Sequence, residues 1–278
     1  PVTRPVARRS ATRTQNATPQ AQNSGGGQPS TSQQSVPEQQ QSAAGGANPG
    51  PGLAPRANPY ANPDAPYQVQ RSSSNKLPEP LLNTPRTVTA IPKEVIQDKG
   101  ATSFRELMRT TPGVTLGTGE GGNAYGDRVF VRGFDTRNDV FVDGVRDPGV
   151  GIRETFQMEQ VEILKGPSST IGGRGTTGGA INLVTKKPFF QNFHEIETTA
   201  GTDSTKRITF DINRVVSDTL AIRLNGMVQN ANVAGRDHVF DNRWGGLFGV
   251  TWKPSDKFKL TLDYQHVEMD QMPDWGIP

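Results

Sequence analysis

The chain has 278 residues and a net charge of +3, and hydrophobic residues make up 32% of it, which is low for a soluble globular protein. It contains no cysteine, which excludes disulfides, thiolate catalysis and cysteine-based zinc sites. No run of about 18 apolar residues is present, which excludes a transmembrane helix.

The first 76 residues are a polar arm rich in Gln, Asn, Ser, Ala, Gly and Pro. Between Pro1 and Pro59 the arm has no aromatic residue, so it cannot bury enough apolar surface to offset its ordering entropy. We therefore expect residues 1–76 to be disordered. The first 60 residues carry scattered arginines and no lysine, which favours a solvated linker over a nucleic-acid-binding segment. Because the chain starts without Met, we expect a removed signal peptide or a piece of a longer protein.

Residues 77–188 are expected to form a small α+β domain, because short apolar runs alternate there with glycine-rich turns. Ser103 is followed three residues later by Glu106, a capping box that predicts a short amphipathic helix over residues 102–109. Residues 87–91 form a short β-branched run that predicts a strand, and buried strands are predicted at residues 129–131, 140–142, 161–164 and 180–184.

After Pro188 apolar and polar residues alternate strictly, in strands of about ten residues, which is typical of a transmembrane β-barrel. Tight turns near residues 217 and 255 flank a long polar loop, as short periplasmic turns and longer outer loops would. A soluble β-sandwich also alternates, but its strands are usually shorter. We predict that residues 189–278 form about five antiparallel strands of an incomplete barrel, with Trp244 and Trp252 in its two aromatic girdles.

Six motifs occur in the order found in the plug domain of TonB-dependent siderophore receptors, and the chain resembles that family. The motifs are residues 84–94, 111–114, Val131-Arg132-Gly133-Phe134, Val142-Asp143-Gly144-Val145, residues 161–167 and residues 178–188. The loop sequences are similar to those of the catecholate branch. The resemblance implies an α+β plug domain at residues 77–188, followed by antiparallel transmembrane β-barrel strands.

The resemblance also implies a function: import of ferric catecholate complexes across the outer membrane, with iron as cargo and no cofactor. The implied partners are TonB, energised by ExbB and ExbD, together with the ferric siderophore and outer-membrane lipid. No catalytic role is expected, because the three histidines lie far apart and fit no metal spacing. Four alternatives stay open: a receptor for haem, cobalamin or an oligosaccharide, and a soluble adhesion domain. A passive porin would lack a separate plug, so residues 77–188 argue against it.

Three groups of site residues follow from the resemblance. Arg132 and Lys165 are expected to form ion pairs with carboxylates of the barrel wall. An extended segment near the N-terminus should pair with a TonB strand, and the nearest candidate is residues 65–70, with Tyr67, Gln68 and Val69 as contacts. Plug loops should supply cationic and aromatic ligand contacts, for which we nominate Tyr125, Arg128, Arg137, Asn138, Arg146 and Arg153.

Overall fold

The computed structural model describes residues 58–62, 65–117, 126–149, 151–236 and 238–272. Predictions for most of the arm and for Tyr125 therefore lie outside the described residues. In the part of the chain that is described, no helix is both long and apolar enough to cross a membrane.

The described residues form fifteen strands, three short α-helices and one 3₁₀ helix. In chain order they are β1 (Ala61–Asn62), β2 (Ala65–Val69), the 3₁₀ helix (Leu81–Asn83), β3 (Thr87–Pro92), α1 (Lys93–Asp98), α2 (Phe104–Arg109), β4 (Val114–Leu116), β5 (Val129–Val131), β6 (Phe134–Asp135), β7 (Val140–Val142), β8 (Val145–Arg146), β9 (Met158–Lys165), α3 (Ser169–Gly172), β10 (Gly179–Thr185), β11 (Phe193–Ala200), β12 (Lys206–Ser217), β13 (Leu220–Asn230), β14 (Asp241–Ser255) and β15 (Phe258–Gln271).

A mixed five-stranded sheet with the order β3-β9-β10-β7-β8 lies at the centre of the plug. Strand β10 pairs antiparallel with β9 and parallel with β7. Apolar side chains on one face of this sheet form the main core with α1, α2 and the small sheet β4-β5-β6. The predicted strands at 87–91, 129–131, 140–142, 161–164 and 180–184 are confirmed, as each lies within an observed strand.

Helix α2 confirms the capping-box prediction. The Glu106 amide donates to the Ser103 hydroxyl at 3.3 Å, and the Ser103 amide donates to the Glu106 carboxylate at 3.2 Å. The apolar side chains Phe104, Leu107 and Met108 are fully buried, which explains why so short a helix is stable in this context. Helix α1 was not predicted, because its six residues carry too little periodicity to identify it.

The residues before the plug differ from the expectation of disorder. Strands β1 and β2 form an antiparallel hairpin, and the chain then runs along the second face of the plug sheet. We call residues 58–62 and 65–77 the strap. At its end Leu77 packs with Phe141, Leu164 and Ala180. Composition alone missed this order because the strap is held mainly by hydrogen bonds rather than by apolar side chains.

The last five strands form one antiparallel sheet in sequence order, β11 to β15, which we call the wall sheet. Its strands are 8 to 15 residues long, and the predicted alternation is confirmed. One face turns polar side chains toward the plug, whereas the other exposes apolar side chains. The exposed set includes Ile208, Leu224, Val228, Trp244, Phe248, Trp252, Leu262 and Tyr264.

Gly179 at the start of β10 is a position where only glycine fits. Its φ is +152°, and a Cβ there would lie 2.2 Å from the Leu164 carbonyl oxygen. We predict that Gly179→Ala destabilises the plug by about 3 kcal/mol or more. Hydrogen exchange of the β9 and β10 amides in the whole protein measures this loss of stability. Gly151→Ala is the control, because nothing lies within 4 Å of its Cβ position; equal effects of the two variants would contradict the prediction.

Candidate plug–wall interface and plug loops

Glu154 of the plug is held between two wall arginines. Its carboxylate accepts a hydrogen bond from Arg207 at 2.8 Å and another from Arg243. Arg207 and Arg243 lie on β12 and β14, each directly across from Gln229 of β13. Arg207 also donates to Gln229 at 2.8 Å, and Arg243 pairs with Asp241 at 2.7 Å. The carboxylate is fully buried, so these two guanidinium groups supply the charge compensation that a buried anion needs.

Arg223 of β13 forms a second connection between the wall and the plug. Its guanidinium binds both oxygens of Asp211, at 2.8 and 2.7 Å, in a bidentate pair. The remaining nitrogen donates to Glu159 of the plug and to the Lys187 carbonyl, each at 3.0 Å. Lys186 completes the cluster with a 3.0 Å ion pair to Asp211. One wall arginine therefore holds both a wall carboxylate and a plug carboxylate.

Lys187 makes the third connection, near the junction between the plug and the first wall strand. Its ammonium group contacts Asp143 of the plug at 2.7 Å and Asp263 of β15 at 2.9 Å. Burial lowers the pKa of Lys187, but the hydrogen bonds to these two aspartates outweigh burial and leave that pKa raised. The lysine therefore stays charged at neutral pH.

The three connections, together with Lys93, which lies 3.9 Å from Glu159, form a set of charges that we call the charge ladder. Acids and bases balance on each side, because both the plug and the wall contribute three of each. The plug contributes Glu154, Glu159, Asp143, Lys93, Lys186 and Lys187, and the wall contributes Arg207, Arg223, Arg243, Asp211, Asp241 and Asp263.

Sequence reasoning missed the charge ladder, although a signal was present. Arg207, Arg223 and Arg243 all occupy polar positions of alternating strands, and an arginine at such a position in a barrel faces the interior. The prediction placed plug cations against wall carboxylates. In the described part the main contacts run the other way, from wall arginines to plug glutamates.

Arg132 and Lys165, the predicted lock residues, lie close to two plug glycines. The Arg132 backbone has a φ of +52°, and its amide donates to the Gly113 carbonyl at 3.0 Å. The Arg132 guanidinium lies against Gly166, and the Lys165 side chain lies against Gly113. Within the residues that the structure describes, neither cation forms an ion pair with the wall. Their lock with wall carboxylates stays a prediction.

The predicted ligand residues Arg128 and Arg137 share one carboxylate. Arg128 pairs with Asp135 at 3.0 Å, and Arg137 pairs with the same Asp135 oxygen at 3.1 Å. Arg128 also stacks over Phe130, with its guanidinium carbon 5.2 Å from the ring centroid. The Arg137 side chain is 45% exposed, so it is the more accessible of the two.

The predicted ligand residues Asn138 and Arg146 lie in a clamp between two loops. Arg146 donates to the Asn138 carbonyl and pairs with Asp139 at 2.6 Å. It also donates to the carbonyls of Gly172 and Arg174, at 2.7 and 2.8 Å. This set of bonds ties the β7–β8 hairpin to the loop around α3.

Arg153, the last predicted ligand residue, is buried. Its guanidinium pairs with Asp147 at 2.9 Å and lies 3.7 Å from Asp127, whose carboxylate accepts the Arg153 amide at 2.8 Å. The structure thus brings Arg153 together with two aspartates of neighbouring loops, and its ligand contact stays a prediction.

Asp127 should make plug stability depend on pH. Burial raises the pKa of Asp127 to about 7, although Arg153 acts in the opposite direction. The folded plug therefore binds a proton more tightly than the unfolded chain, so its stability falls as the pH rises from about 4 to about 7. Asp127→Asn should remove this dependence and be more stable than the wild type at pH 8 by about 2–4 kcal/mol.

Hydrogen exchange of plug amides in the whole protein, corrected for the intrinsic effect of pH, measures this dependence. Asp218→Asn changes an exposed aspartate and is the control. The same pH profile in the wild type and in Asp127→Asn would contradict the assignment to Asp127.

The candidate TonB contacts lie in a strand with one unpaired edge. Among the described residues, β2 pairs with β1 alone. Tyr67 is 61% exposed and donates its hydroxyl proton to Asp98 at 2.6 Å. That hydrogen bond raises the pKa of Tyr67. The Gln68 side chain accepts from Asn62 at 3.2 Å, and Val69 is opposite Ala61 in the hairpin. The unpaired edge of β2 is what strand addition by a partner would need.

Comparison with known proteins gives consistent matches to one family. The family model for the TonB-dependent receptor plug domain matches residues 80–180. The chain is similar to the probable TonB-dependent receptor BfrD of Bordetella pertussis, with 41% identity over 76% of this chain and 29% of that protein. It is also similar to the catecholate siderophore receptor Fiu of Escherichia coli, with 40% identity over 76% of this chain and 28% of that protein.

Two solved structures show the same arrangement of plug and wall. The closed form of the ferric-catecholate import receptor Fiu from Escherichia coli superposes with a TM-score of 0.73 at 38% identity, covering 77% of this chain and 30% of that one. The siderophore receptor PiuA from Acinetobacter baumannii gives a TM-score of 0.72 at 37% identity, covering 75% and 30%. The chain spans less than a third of the length of these relatives.

Proposed function

The chain belongs to the TonB-dependent receptor family, and on that premise we propose that a receptor containing it imports a ferric catecholate siderophore through the outer membrane. The observation that carries this proposal is the plug seated on the wall sheet, shared at about 40% identity with a catecholate receptor. The proposal has three further parts, which concern the position of the wall sheet in the membrane, the ligand site and the energy supply.

The wall sheet has the dimensions of a membrane-spanning surface. Trp244 and Trp252 lie eight residues apart on the exposed face of β14, which corresponds to about 26 Å along the strand and, at a strand tilt of about 40°, to about 20 Å along the membrane normal. The apolar band of an outer-membrane barrel is about 25 Å tall and is bordered by aromatic girdles. We place Trp252 at the periplasmic girdle, because it is near the tight turn to β15, and Trp244 at the outer one.

The proposed ligand site lies on the plug loops at the outer side. Iron bound by catecholates forms an anionic complex, so it favours exposed guanidinium groups and aromatic edges. Arg137 is the residue most available for direct contact, since it is exposed and shares Asp135 with Arg128. Arg146 and Arg153 act mainly by holding the loops in place, and Tyr125 and Asn138 complete the proposed set.

The proposed energy step begins at the strap. A TonB strand adds to the free edge of β2 at Tyr67, Gln68 and Val69. ExbB and ExbD supply energy to TonB, and the pull shifts the plug relative to the wall. The charge ladder suits this motion, because its polar contacts can be replaced by water as the plug moves.

Ligand binding to the purified whole receptor tests the proposal. Iron would be supplied as a tris-catecholate, a tris-hydroxamate or a citrate complex, and binding would be followed by calorimetry. We expect the catecholate complex to bind at least about a hundredfold more tightly than the other two, a difference of about 2.7 kcal/mol. Arg137→Ala should weaken that binding, whereas Arg214→Ala, which changes an exposed wall residue, should not. Equal affinity for all three complexes would reject the catecholate assignment.

A further inference from the structure

Glu162 of the plug is a buried carboxylate that binds the strap. It lies on β9, on the sheet face opposite the main core, and is 1% exposed. From the strap, the Ser72 hydroxyl donates to it at 3.0 Å and the Ser73 amide donates at 2.5 Å. From the plug, Gln160 donates at 2.7 Å and Asn182 at 3.3 Å. One carboxylate thus joins the strap to the centre of the plug sheet.

Asn182 strengthens the same junction from the neighbouring strand. Its side-chain amide donates both to Glu162 and to the Ser73 hydroxyl, the latter at 3.1 Å. Ser72 in turn accepts the Ser74 amide at 3.1 Å. The strap segment 72–74 is therefore fixed through side chains of β9 and β10, and no other part of the described strap makes as many bonds to the plug.

The chemistry of this junction is unlike that of the charge ladder. Within the described residues, the hydrogen bonds to Glu162 come from uncharged donors, and no cation lies within ion-pairing distance of it. Burial of a carboxylate without a counter-ion is costly, and the cost is offset here only while all donors are in place. Once the strap leaves, water reaches Glu162 and restores its hydration. The junction is therefore stable when complete and readily opened when pulled.

The position of the junction relative to β2 suggests its role. The candidate TonB contacts Tyr67 to Val69 come just before Ser72 in the chain. A pull on β2 therefore acts on the Tyr67–Asp98 hydrogen bond and on the Gln70 carbonyl, which accepts the Leu81 amide at 2.9 Å, and next on this buried junction. Strand β9 also carries Glu159, which binds Arg223 of the wall. A force applied at the strap is thus delivered to the strand that is held by the charge ladder.

We propose that Glu162, with Asn182, is a latch that holds the strap against the plug and thereby limits access of TonB to β2. This inference rests on the proposed function for the identity of the partner, but the latch itself does not depend on it. Glu162 is a positioning residue: it acts on TonB binding through the strap and touches neither ligand nor TonB.

Hydrogen exchange of the strap in the whole receptor in detergent tests the latch without TonB or iron. Glu162→Ala removes the acceptor, and Ser72→Ala removes one donor from the strap side while leaving β9 unchanged. The exposed Glu79, which lies after the strap, provides the matched control Glu79→Ala. We expect the amides of residues 72–74 to exchange at least about tenfold faster in both latch variants, as for loss of a hydrogen bond to a charged group. The exchange rates of the same amides should not change in the control.

The amides of β10 distinguish a latch from a general loss of plug stability. Fast exchange of the strap with normal protection of β10 supports the proposal. Unchanged strap exchange in Glu162→Ala overturns it, and so does equal loss of protection in the strap and β10 with no effect of Ser72→Ala.

Binding of the periplasmic domain of TonB is measured separately on the same variants. A latch that limits access predicts about a tenfold gain in affinity for Glu162→Ala, matching the gain in exchange. If the strap loosens but TonB affinity does not change, control of TonB access is overturned. If TonB does not bind the wild type or any variant, the proposed partner is wrong, and the exchange result alone decides the latch.

Discussion

Arg223→Ala is expected to lower the free energy of plug unfolding by about 3–5 kcal/mol, the cost of breaking a buried ion pair from one side. The variant leaves Asp211 and Glu159 as buried carboxylates without the guanidinium that bridges them. Lys186 still pairs with Asp211 at 3.0 Å, whereas Glu159 keeps only the longer 3.9 Å pair with Lys93, so the larger part of the effect falls on Glu159. Arg223→Lys should be intermediate, because an ammonium group keeps the charge but loses the bidentate geometry.

The measurement is hydrogen exchange of the β9 amides in the whole receptor, which reports local opening of the plug. Arg214→Ala, on the neighbouring strand β12 with an exposed side chain, controls for loss of an arginine from the wall. If Arg214→Ala and Arg223→Ala have the same effect, the bridge between wall and plug does not stabilise the plug as we describe.

Glu154→Ala is expected to lower the free energy of plug unfolding by a similar amount, about 3–5 kcal/mol. It leaves Arg207 and Arg243 facing each other across Gln229 without the carboxylate that separates them. Their mutual repulsion adds to the loss of both hydrogen bonds. Glu154→Gln keeps the shape and removes the charge, so it should recover only a small part of the stability.

A double-mutant cycle identifies the contact. The effects of Glu154→Ala and Arg207→Ala should not add, because the double variant removes both the anion and one of the stranded cations. A coupling free energy of about 1–3 kcal/mol is expected from contacting charges. Exposed Glu79 supplies the control substitution Glu79→Ala. Full additivity would mean that the two residues do not act together in the receptor.

Local signals were sufficient to predict several elements of this fold. Ser103 and Glu106 identified α2, because a capping box consists of four consecutive residues. The period-two pattern identified the wall strands, since a strand with one polar and one apolar face has alternating polar and apolar residues in its sequence. The strap was missed because its order depends on Glu162, which lies 90 residues away from Ser72. No local pattern can report such a partner.

The candidate site was less predictable for the same reason. Glu154 is 53 residues from Arg207 and 89 from Arg243, and polar alternation shows that a side chain faces inward but not which plug residue it meets. Arg146 and Arg153 were identified as loop cations, but their pairing with Asp139 and Asp147 depends on how the loops fold together. Which charged residues pair in a polar interface depends on residues that are distant in sequence and come together only in the folded protein.

The most direct test of the central claim is iron uptake by cells that carry the whole receptor and lack their other siderophore receptors. Radioactive iron would be supplied under iron limitation as a catecholate, a hydroxamate or a citrate complex, with and without TonB. We predict uptake from the catecholate complex that is lost without TonB, and little uptake from the other two. Normal receptor levels in the outer membrane with no TonB-dependent uptake from the catecholate complex would contradict the claim.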